Sequence, residues 1–360
     1  MAKTNIHVER LKLSVKDLPD LLDVAIQADI MVGIEGASGM GKTACVRQAA
    51  ERHGRKLCDL IGSIMDPSAD VCMAFADRES GFLNFHHNKG LPFVGTEDIW
   101  VKNGQPPVLF IDELPNSPTT VIGMWQKIVH DKGVNGRPLI PGTWIAWAGN
   151  RAMDNASVNR VPFPFLNRGI LVTLDHSLDA FIDFCAREAV NEFVPSFLRQ
   201  RPELLSYELM TRETTEGAKS VDLSLPQPTE RAWAEIVGPT LDHAKDANIR
   251  LIALSGAVGD GPAREIETYF ELRFDMPDID RILRGKPEKA PKNASTCWVV
   301  VSALVRRVTR DNIKNCLDYL KQINPEFSTL FVNETYRKDK TLAATQAYTD
   351  WAIANGQKLI

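Results

Sequence analysis

The chain has 360 residues, and its 42 Lys+Arg against 46 Asp+Glu give a formal net charge of −4. With 44% apolar and 24% charged residues, the composition is that of a folded globular protein and excludes an intrinsically disordered chain. The small net charge gives no overall attraction to nucleic acid or to an anionic membrane. At roughly 100–200 residues per domain, the length predicts two or three domains.

The sequence predicts a soluble, cytoplasmic protein without a membrane span. The longest uncharged apolar stretch, residues 296–305, is too short to cross a bilayer. The first residues, MAKTNIHVERLKL, carry charges where a signal peptide has its apolar core. The six cysteines include no CxxC pair, which favours reduced thiols over a zinc site or a disulfide framework.

Helical and strand-like patterns alternate in the first half of the chain. Residues 14–28 have apolar positions at helical spacing, with Ser14 or Asp17 as a possible cap and Pro19 in the first turn. A second helical pattern follows Lys42 and ends near His53. Four short apolar runs read as buried strands: residues 30–34, 108–111, 144–148 and 169–174. This alternation predicts a parallel α/β core with crossover helices.

From about residue 176 onward the patterns are helical. Residues 284–293 are charged and broken by prolines, so they read as a linker or an exposed loop. Further helices are predicted near 310–323 and 342–354. We therefore expect three segments: an α/β core over 1–175, a helical segment over 176–275 and a helical C-terminal extension over 276–360.

The strongest motif is GASGMGKT, which fits G-x-x-x-x-G-K-[ST] and lies between a predicted strand and a predicted helix. Its glycines allow backbone N–H groups to turn inward around phosphate oxygens. Lys42 would reach the β- and γ-phosphates, and Thr43 would be a ligand of Mg²⁺. The predicted phosphate-binding residues are Gly36, Ala37, Ser38, Gly39, Met40, Gly41, Lys42 and Thr43.

A second motif, Asp112-Glu113, ends the apolar run VLFI. At the end of a buried strand, Asp112 can hold Mg²⁺ through water, and Glu113 can orient and deprotonate an attacking water. Paired acids of this kind are also common at helix N-termini. Their occurrence after a phosphate loop favours the functional interpretation.

Three further polar residues are candidates with a structural alternative. Asn150 ends the third predicted strand, where its amide can position water or contact the γ-phosphate, although a turn-forming asparagine is the alternative. Arg168 precedes the fourth strand and is a candidate arginine finger. Arg231 begins a helix in the second segment, and for both arginines an ordinary surface position is the alternative.

The order of these motifs resembles that of AAA+ ATPases, and their amino-acid sequences are similar to those of the MoxR branch. Residues 112–118, DELPNSP, resemble the Walker B segment of that branch, and 143–151, TWIAWAGNR, its sensor-1 strand. Residues 162–168, PFPFLNR, resemble the arginine-finger segment, and 228–233, PTERAW, the sensor-2 helix. The resemblance covers roughly residues 14–275 and extends, with less similarity, into the tail.

The resemblance implies a P-loop NTPase core with a helical lid and a helical extension. It implies ATP and Mg²⁺ as ligands, with Glu113, Asn150, Arg168 and Arg231 catalytic and with Thr43 and Asp112 at the metal. It also implies a homo-oligomeric ring, typically a hexamer in this family, whose partner carries a von Willebrand factor A domain. Arg168 would then act on the nucleotide of the neighbouring subunit.

Two features bear on this resemblance. Leu114-Pro115 places a proline two residues after Glu113, so the backbone there is expected to differ from relatives. Residues 90–95 look like a loop rather than the long hairpin of the helix-2 insert, and 132–143 resemble the hairpin that precedes sensor 1.

Other features carry less weight. Adjacent His86 and His87 point in different directions and lack a ligand cluster, which argues against a metal. Ser177 is explained by helix capping rather than by a catalytic role. A basic stretch at 306–314 is more typical of a solvated or subunit-contact face than of a nucleic-acid site.

The leading hypothesis is an ATP-hydrolysing ring that remodels or activates a protein partner. The alternative is an AAA+ motor on nucleic acid, such as a helicase, a helicase loader or a restriction-type translocase. The near-neutral charge and the lack of a recognisable DNA-binding module argue against it. A third class, a nucleotide-bound protein without turnover, is disfavoured by the intact acidic pair.

Overall fold

The computed structural model describes residues 12–151, 159, 161–212 and 225–355. The chain divides into two compact units, with the boundary between His176 and Ser177. Each unit has its own buried apolar clusters.

The first unit contains a six-stranded sheet in which every neighbouring pair is parallel. In spatial order its strands are β1 (Lys12–Ser14), β10 (Gly169–Asp175), β2 (Met31–Glu35), β9 (Trp144–Gly149), β6 (Val108–Asp112) and β3 (Leu57–Ile61). The four predicted apolar runs are four of these strands, whereas β1 and β3 were not predicted. The strands β2, β9 and β6, at the centre of the sheet, carry the sequence motifs at their carboxyl ends.

Helices cover both faces of this sheet. In β9, Trp144 and Ala146 face the side of α1 (Leu18–Gln27) and α2 (Lys42–Arg52). Ile145 and Trp147 face the opposite side. There they pack with α4 (Thr119–Asp131). Burial on both faces explains why the central strands read as continuous apolar runs rather than as alternating ones. Two short helices, α3 (Glu97–Trp100) and α5 (Phe163–Leu166), complete the described helices of this unit.

Two antiparallel hairpins lie outside the main sheet. One pairs β4 (Cys72–Ala76) with β5 (Leu83–His87), and the other pairs β7 (Gly133–Val134) with β8 (Arg137–Pro138). The second lies where the sequence predicted a hairpin. The first was not predicted, and residues 90–95, predicted as a loop, follow it without a strand.

Every regular element described in the second unit is a helix or a helical turn. In chain order the α-helices are α6 (Leu178–Arg187), α7 (Phe193–Gln200), α8 (Tyr207–Arg212), α9 (Glu230–Ala232), α10 (Gly238–His243), α11 (Ala247–Val258), α12 (Asp260–Phe270), α13 (Ile279–Leu283), α14 (Ala294–Arg307), α15 (Ile313–Leu320), α16 (Pro325–Lys338) and α17 (Gln346–Asn355). The predicted fold class, a parallel α/β core followed by helices, is confirmed. The division of the helical part at 275/276 stays a prediction.

Local expectations about the helices can also be compared with the structure. The side chain of Ser177 accepts a hydrogen bond from the backbone N–H of Ala180 at 3.3 Å, which confirms its capping role. Asp17 is the N-cap residue of α1, but its side chain makes no capping hydrogen bond. Residues 284–293 follow α13 and contain neither helix nor strand, as predicted for a linker or an exposed loop. None of the helices in the described ranges has the length and apolar composition that spanning a bilayer requires.

Candidate functional site

The candidate site begins with the loop between β2 and α2. Gly39 and Gly41 have φ angles of +82° and +77°, in the left-handed region that side-chain-bearing residues rarely adopt. Gly41 is the N-cap of α2, and no side chain caps the helix there. The backbone N–H of Gly36 donates to the carbonyl of Gly149 at 3.2 Å, which joins the start of the loop to the end of β9. The loop thus lies at the carboxyl edge of the sheet, against a free helix N-terminus.

Lys42 is held inside this loop. Its side chain is buried, and its ammonium donates to the carbonyl oxygens of Gly36 at 2.7 Å and Ala37 at 2.8 Å. The same nitrogen lies 3.5 Å from the side-chain oxygen of Asn150. The structure therefore brings the lysine of the loop and the asparagine after β9 together, although 108 residues separate them in sequence.

Thr43 and Asp112 are in direct contact. The Thr43 hydroxyl donates to the Asp112 carboxylate at 2.5 Å, which links the first turn of α2 to the end of β6. The Asp112 carboxylate also accepts the backbone N–H of Glu113 at 2.9 Å. A hydroxyl and a carboxylate thus lie side by side where the loop between β2 and α2 ends.

The residue after Asp112 has an unusual backbone conformation. Glu113 has a φ of +55°, which turns the chain sharply as it leaves β6. Its carboxylate accepts a hydrogen bond from the hydroxyl of Ser63, a residue in the helical turn that follows β3. Sequence analysis missed Ser63. A serine directly after a strand ending at this sheet edge would have been the signal, but β3 itself had not been recognised.

Pro115 packs into the space beside this turn. Residues 114–116 form a single turn of 3₁₀ helix, and the backbone N–H of Ser117 closes it onto the carbonyl of Leu114. A β-carbon placed on Gly149 would lie 2.2 Å from Cδ of Pro115, so the end of β9 can approach the turn only because residue 149 is glycine. The proline thus fixes the spacing between the acidic turn and Asn150.

The two candidate arginines are both exposed. Arg168 is exposed between α5 and β10, and within the described residues it has no ion-pair partner. Arg231 lies in the helical unit, where it is exposed and forms a loose ion pair with Glu235 at 3.9 Å. Within the first unit the structure brings together Lys42, Thr43, Asp112, Glu113 and Asn150.

The donor set fits a magnesium ion that is shared with a phosphate. Mg²⁺ prefers oxygen ligands, and it commonly takes one or two from the protein while phosphates and water supply the rest. The Thr43 hydroxyl and the Asp112 carboxylate match that pattern. No group of three or more His, Cys, Asp or Glu side chains that could hold a metal by itself occurs among the described residues.

His86 and His87 occupy neighbouring positions on β5, where successive side chains point to opposite faces. The ring of His86 packs edge-on against Phe75, with 4.8 Å between ring centroids. The Nε2 atom of His87 lies 2.9 Å from the carbonyl oxygen of Val134. This contact joins the two hairpins.

Comparisons with known proteins leave the family unresolved. No protein-family model and no curated protein matches the chain. Among solved structures, it is similar to a candidate ATPase from Cytophaga hutchinsonii, with 11% identity and a TM-score of 0.37 over 90% of this chain and 81% of that one. It is also similar to NtrX from Brucella abortus, with 11% identity and a TM-score of 0.33 over 98% of this chain and 68% of that one.

Proposed function

We propose that this chain is an ATPase of the AAA+ class, of MoxR type, that binds and hydrolyses ATP with Mg²⁺. The observation that carries the proposal is the hydrogen bond from Thr43 to Asp112 beside the buried ammonium of Lys42. This hydrogen bond joins the loop between β2 and α2 to the acidic residues at the end of β6, at one edge of the sheet. In open parallel sheets this edge is where ligands bind.

The residues of the loop suit the recognition of phosphate. The left-handed glycines leave room for close approach, and the uncapped N-terminus of α2 presents backbone N–H groups and the positive end of the helix dipole. The Lys42 ammonium, now bonded to two loop carbonyls, would exchange these acceptors for phosphate oxygens. Thr43 and Asp112 would hold Mg²⁺, which neutralises charge on the phosphates when bound.

Glu113 and Asn150 suit the activation of water. The Glu113 carboxylate can accept the proton of an attacking water, and Asn150 can orient that water by hydrogen bonding. Ser63 already occupies one acceptor position of Glu113. The Ser63 hydroxyl competes with water for that position, so Ser63 is part of the proposed cycle.

The proposal includes a ring, with hexamers as the expected form. The exposed position of Arg168, without an ion-pair partner in the described chain, suits a residue that contacts the nucleotide of a neighbouring subunit. Arg231 is expected to act as the second nucleotide-contacting arginine, which its exposed position allows.

The expected partner is a protein, of the von Willebrand factor A type, rather than nucleic acid. The basic stretch after residue 305 offers little free charge, because Arg306 pairs with Glu192 at 2.6 Å. Arg307 pairs with Asp280. Lys314 pairs with Asp318 at 2.8 Å. Nucleic-acid binding depends on clustered uncompensated cations. With three of its four cations paired, and Arg310 the exception among the described ion pairs, this stretch favours the protein-remodelling hypothesis over the nucleic-acid motor.

Phosphate release from ATP by the purified chain tests the proposal. We expect Mg²⁺-dependent turnover that Lys42→Met abolishes, whereas Lys127→Met, a lysine half exposed on α4, leaves it unchanged. Equal turnover in both variants would contradict the assigned site. Stimulation by DNA or RNA that falls steeply with salt would favour the nucleic-acid alternative.

A mixing experiment tests the ring. Subunits with Arg168→Ala keep their own catalytic residues, and subunits with Glu113→Gln keep Arg168. If Arg168 acts on the neighbouring site, mixing two inactive variants restores part of the turnover. No recovery in the mixture, with wild-type mass in the presence of ATP, would overturn the role of Arg168 between subunits.

A further inference from the structure

The helix α16 carries three charged residues on one face, and each bonds to a different helix. Glu334, Arg337 and Lys338 are spaced i, i+3 and i+4, so they lie side by side on the helix surface. Their partners belong to α7, α6 and α14 respectively. Asp183 of α6 precedes Arg337 by 154 residues, and Arg199 of α7 precedes Glu334 by 135 residues. Both of these earlier helices lie within the predicted lid segment.

The central contact is a buried ion pair. The guanidinium of Arg199 in α7 donates to the carboxylate of Glu334, and only 9% and 5% of the two side chains are exposed. The same guanidinium donates to the hydroxyl of Ser302 in α14 at 3.0 Å, and it lies 5.4 Å from the ring centroid of Trp298. Arg199 therefore contacts α14 and α16 together.

The other two contacts extend this arrangement. The guanidinium of Arg337 lies 3.4 Å from the carboxylate of Asp183 in α6. The ammonium of Lys338 donates at 2.7 Å to the carbonyl oxygens of both Val305 and Arg306, in the last turn of α14. Carbonyls in the last turn lack partners within the helix, so Lys338 supplies hydrogen bonds that the helix itself cannot make. Burial lowers the pKa of Lys338 from its usual value.

The apolar packing of α7 and α14 also involves helices on both sides of residue 275. α7 is buried around most of its surface, from Phe193 to Leu198. α14 contributes Val299 to the apolar cluster that contains α7, and five other residues to the cluster that contains α16: Val300, Val301, Ala303, Leu304 and Val305. A helix that is apolar on all sides requires neighbours on all sides. The helices before residue 275 therefore supply only part of the surroundings that α7 and α14 need.

We propose that α16 is a strap that holds α6, α7 and α14 in one folding unit, so that the C-terminal extension is required for the fold of the lid. The reason is energetic. Removing one partner of a buried ion pair leaves an uncompensated buried charge, which is strongly destabilising. Loss of Glu334 would therefore disturb α7 as much as α16. The proposal does not depend on the proposed ATPase activity, because it concerns only the folding of these helices.

Amide hydrogen exchange of the full chain tests the strap. We expect Glu334→Gln to raise exchange about 100-fold or more in α6, α7 and α14 as well as in α16, since these helices would open together. The matched control is Asp318→Asn on α15, the same acid-to-amide change at an exposed ion pair, which should leave these rates unchanged.

The contrary results are distinct. An increase confined to residues 325–355 would show that α16 unfolds without α6 and α7, and it would overturn the strap. Rates in Glu334→Gln equal to those in Asp318→Asn would overturn it as well. If Glu334→Gln does not fold, Arg337→Ala removes the weaker, partly exposed contact. A several-fold increase in α6 relative to Asp318→Asn supports the strap, and unchanged α6 rates overturn it.

Discussion

The hydroxyl oxygen of Thr43 lies 2.5 Å from the Oδ2 atom of Asp112, and this hydrogen bond joins the start of α2 to the end of β6. The two residues are 69 positions apart, and they meet because β2 and β6 end at the same edge of a parallel sheet, on either side of β9. A bound Mg²⁺ would be held by both side chains, by the Thr43 hydroxyl directly and by Asp112 through water.

Thr43→Val is expected to abolish Mg²⁺-dependent turnover. Valine has nearly the shape of threonine but lacks the hydroxyl, so a metal ligand and the partner of Asp112 are lost together. We expect the rate of phosphate release to fall about 100-fold at saturating Mg²⁺. The control, Thr43→Ser, keeps the hydroxyl and should retain most of the rate. Wild-type turnover in Thr43→Val would exclude the residue as a metal ligand.

Ser63→Ala is expected to raise turnover. The Ser63 hydroxyl donates to the carboxylate of Glu113, and there it both competes with water for an acceptor position and holds the orientation of the carboxylate. A net value of about 0.5–1.5 kcal/mol for one hydrogen bond corresponds to a rise of about 2- to 10-fold in kcat. Ser63→Thr, which keeps a hydroxyl, is the control. If kcat falls in Ser63→Ala, Ser63 positions Glu113 for catalysis instead.

Gly149→Ala is expected to destabilise the first unit and to disturb the acidic turn. The new β-carbon would lie 2.2 Å from Cδ of Pro115, so the turn or the end of β9 must move. Overpacking of this kind costs about 1–3 kcal/mol in the free energy of unfolding, measurable by urea titration.

Gly123→Ala is the matched control for Gly149→Ala. Gly123 lies in α4 with open space around the added methyl group. Alanine favours helix over glycine by about 0.5–1 kcal/mol, so the control should be more stable than the wild type. Equal stability of Gly149→Ala and the wild type would contradict the tight contact with Pro115.

Thiol labelling tests the burial of the cysteines. Burial raises the pKa of Cys58 to about 12 and that of Cys316 to about 12. At pH 8 only about 1 in 10⁴ of these thiols is thiolate, the reactive form, and the fraction rises as pH increases. Half-buried Cys45 and Cys72 should therefore be alkylated first, as mass spectrometry of peptides would show. Alkylation of Cys58 as fast as that of Cys72 in the folded chain would contradict this.

The sequence was most informative where a strand is buried on both faces. The runs at 108–111 and 144–148 predicted β6 and β9 closely, because every side chain there packs against helices. β3 was missed because it lies at the sheet edge, where Cys58 is buried but Asp59 is exposed. The strands β4 and β5 were missed because they form a separate hairpin whose side chains are mostly exposed, so no clear pattern marks them.

The same reasoning explains what was found at the candidate site. The residues Lys42, Thr43, Asp112 and Asn150 follow strands that the sequence identified, and parallel topology then brings them together. Ser63 follows the strand that was missed, and its bond to Glu113 depends on the left-handed turn at that glutamate, which no local pattern indicates. The relation of Arg168 to a neighbouring subunit depends on assembly, which a single chain does not contain.

Glu113→Gln gives the most direct test of the central claim that this site hydrolyses ATP. The amide keeps the size of the side chain but removes the base, while the Lys42 and Thr43 contacts are untouched. We expect ATP binding, measured by calorimetry with Mg²⁺, to stay within about threefold of wild type, while phosphate release falls about 100-fold or more. Undiminished phosphate release in a variant that still binds ATP would contradict the account.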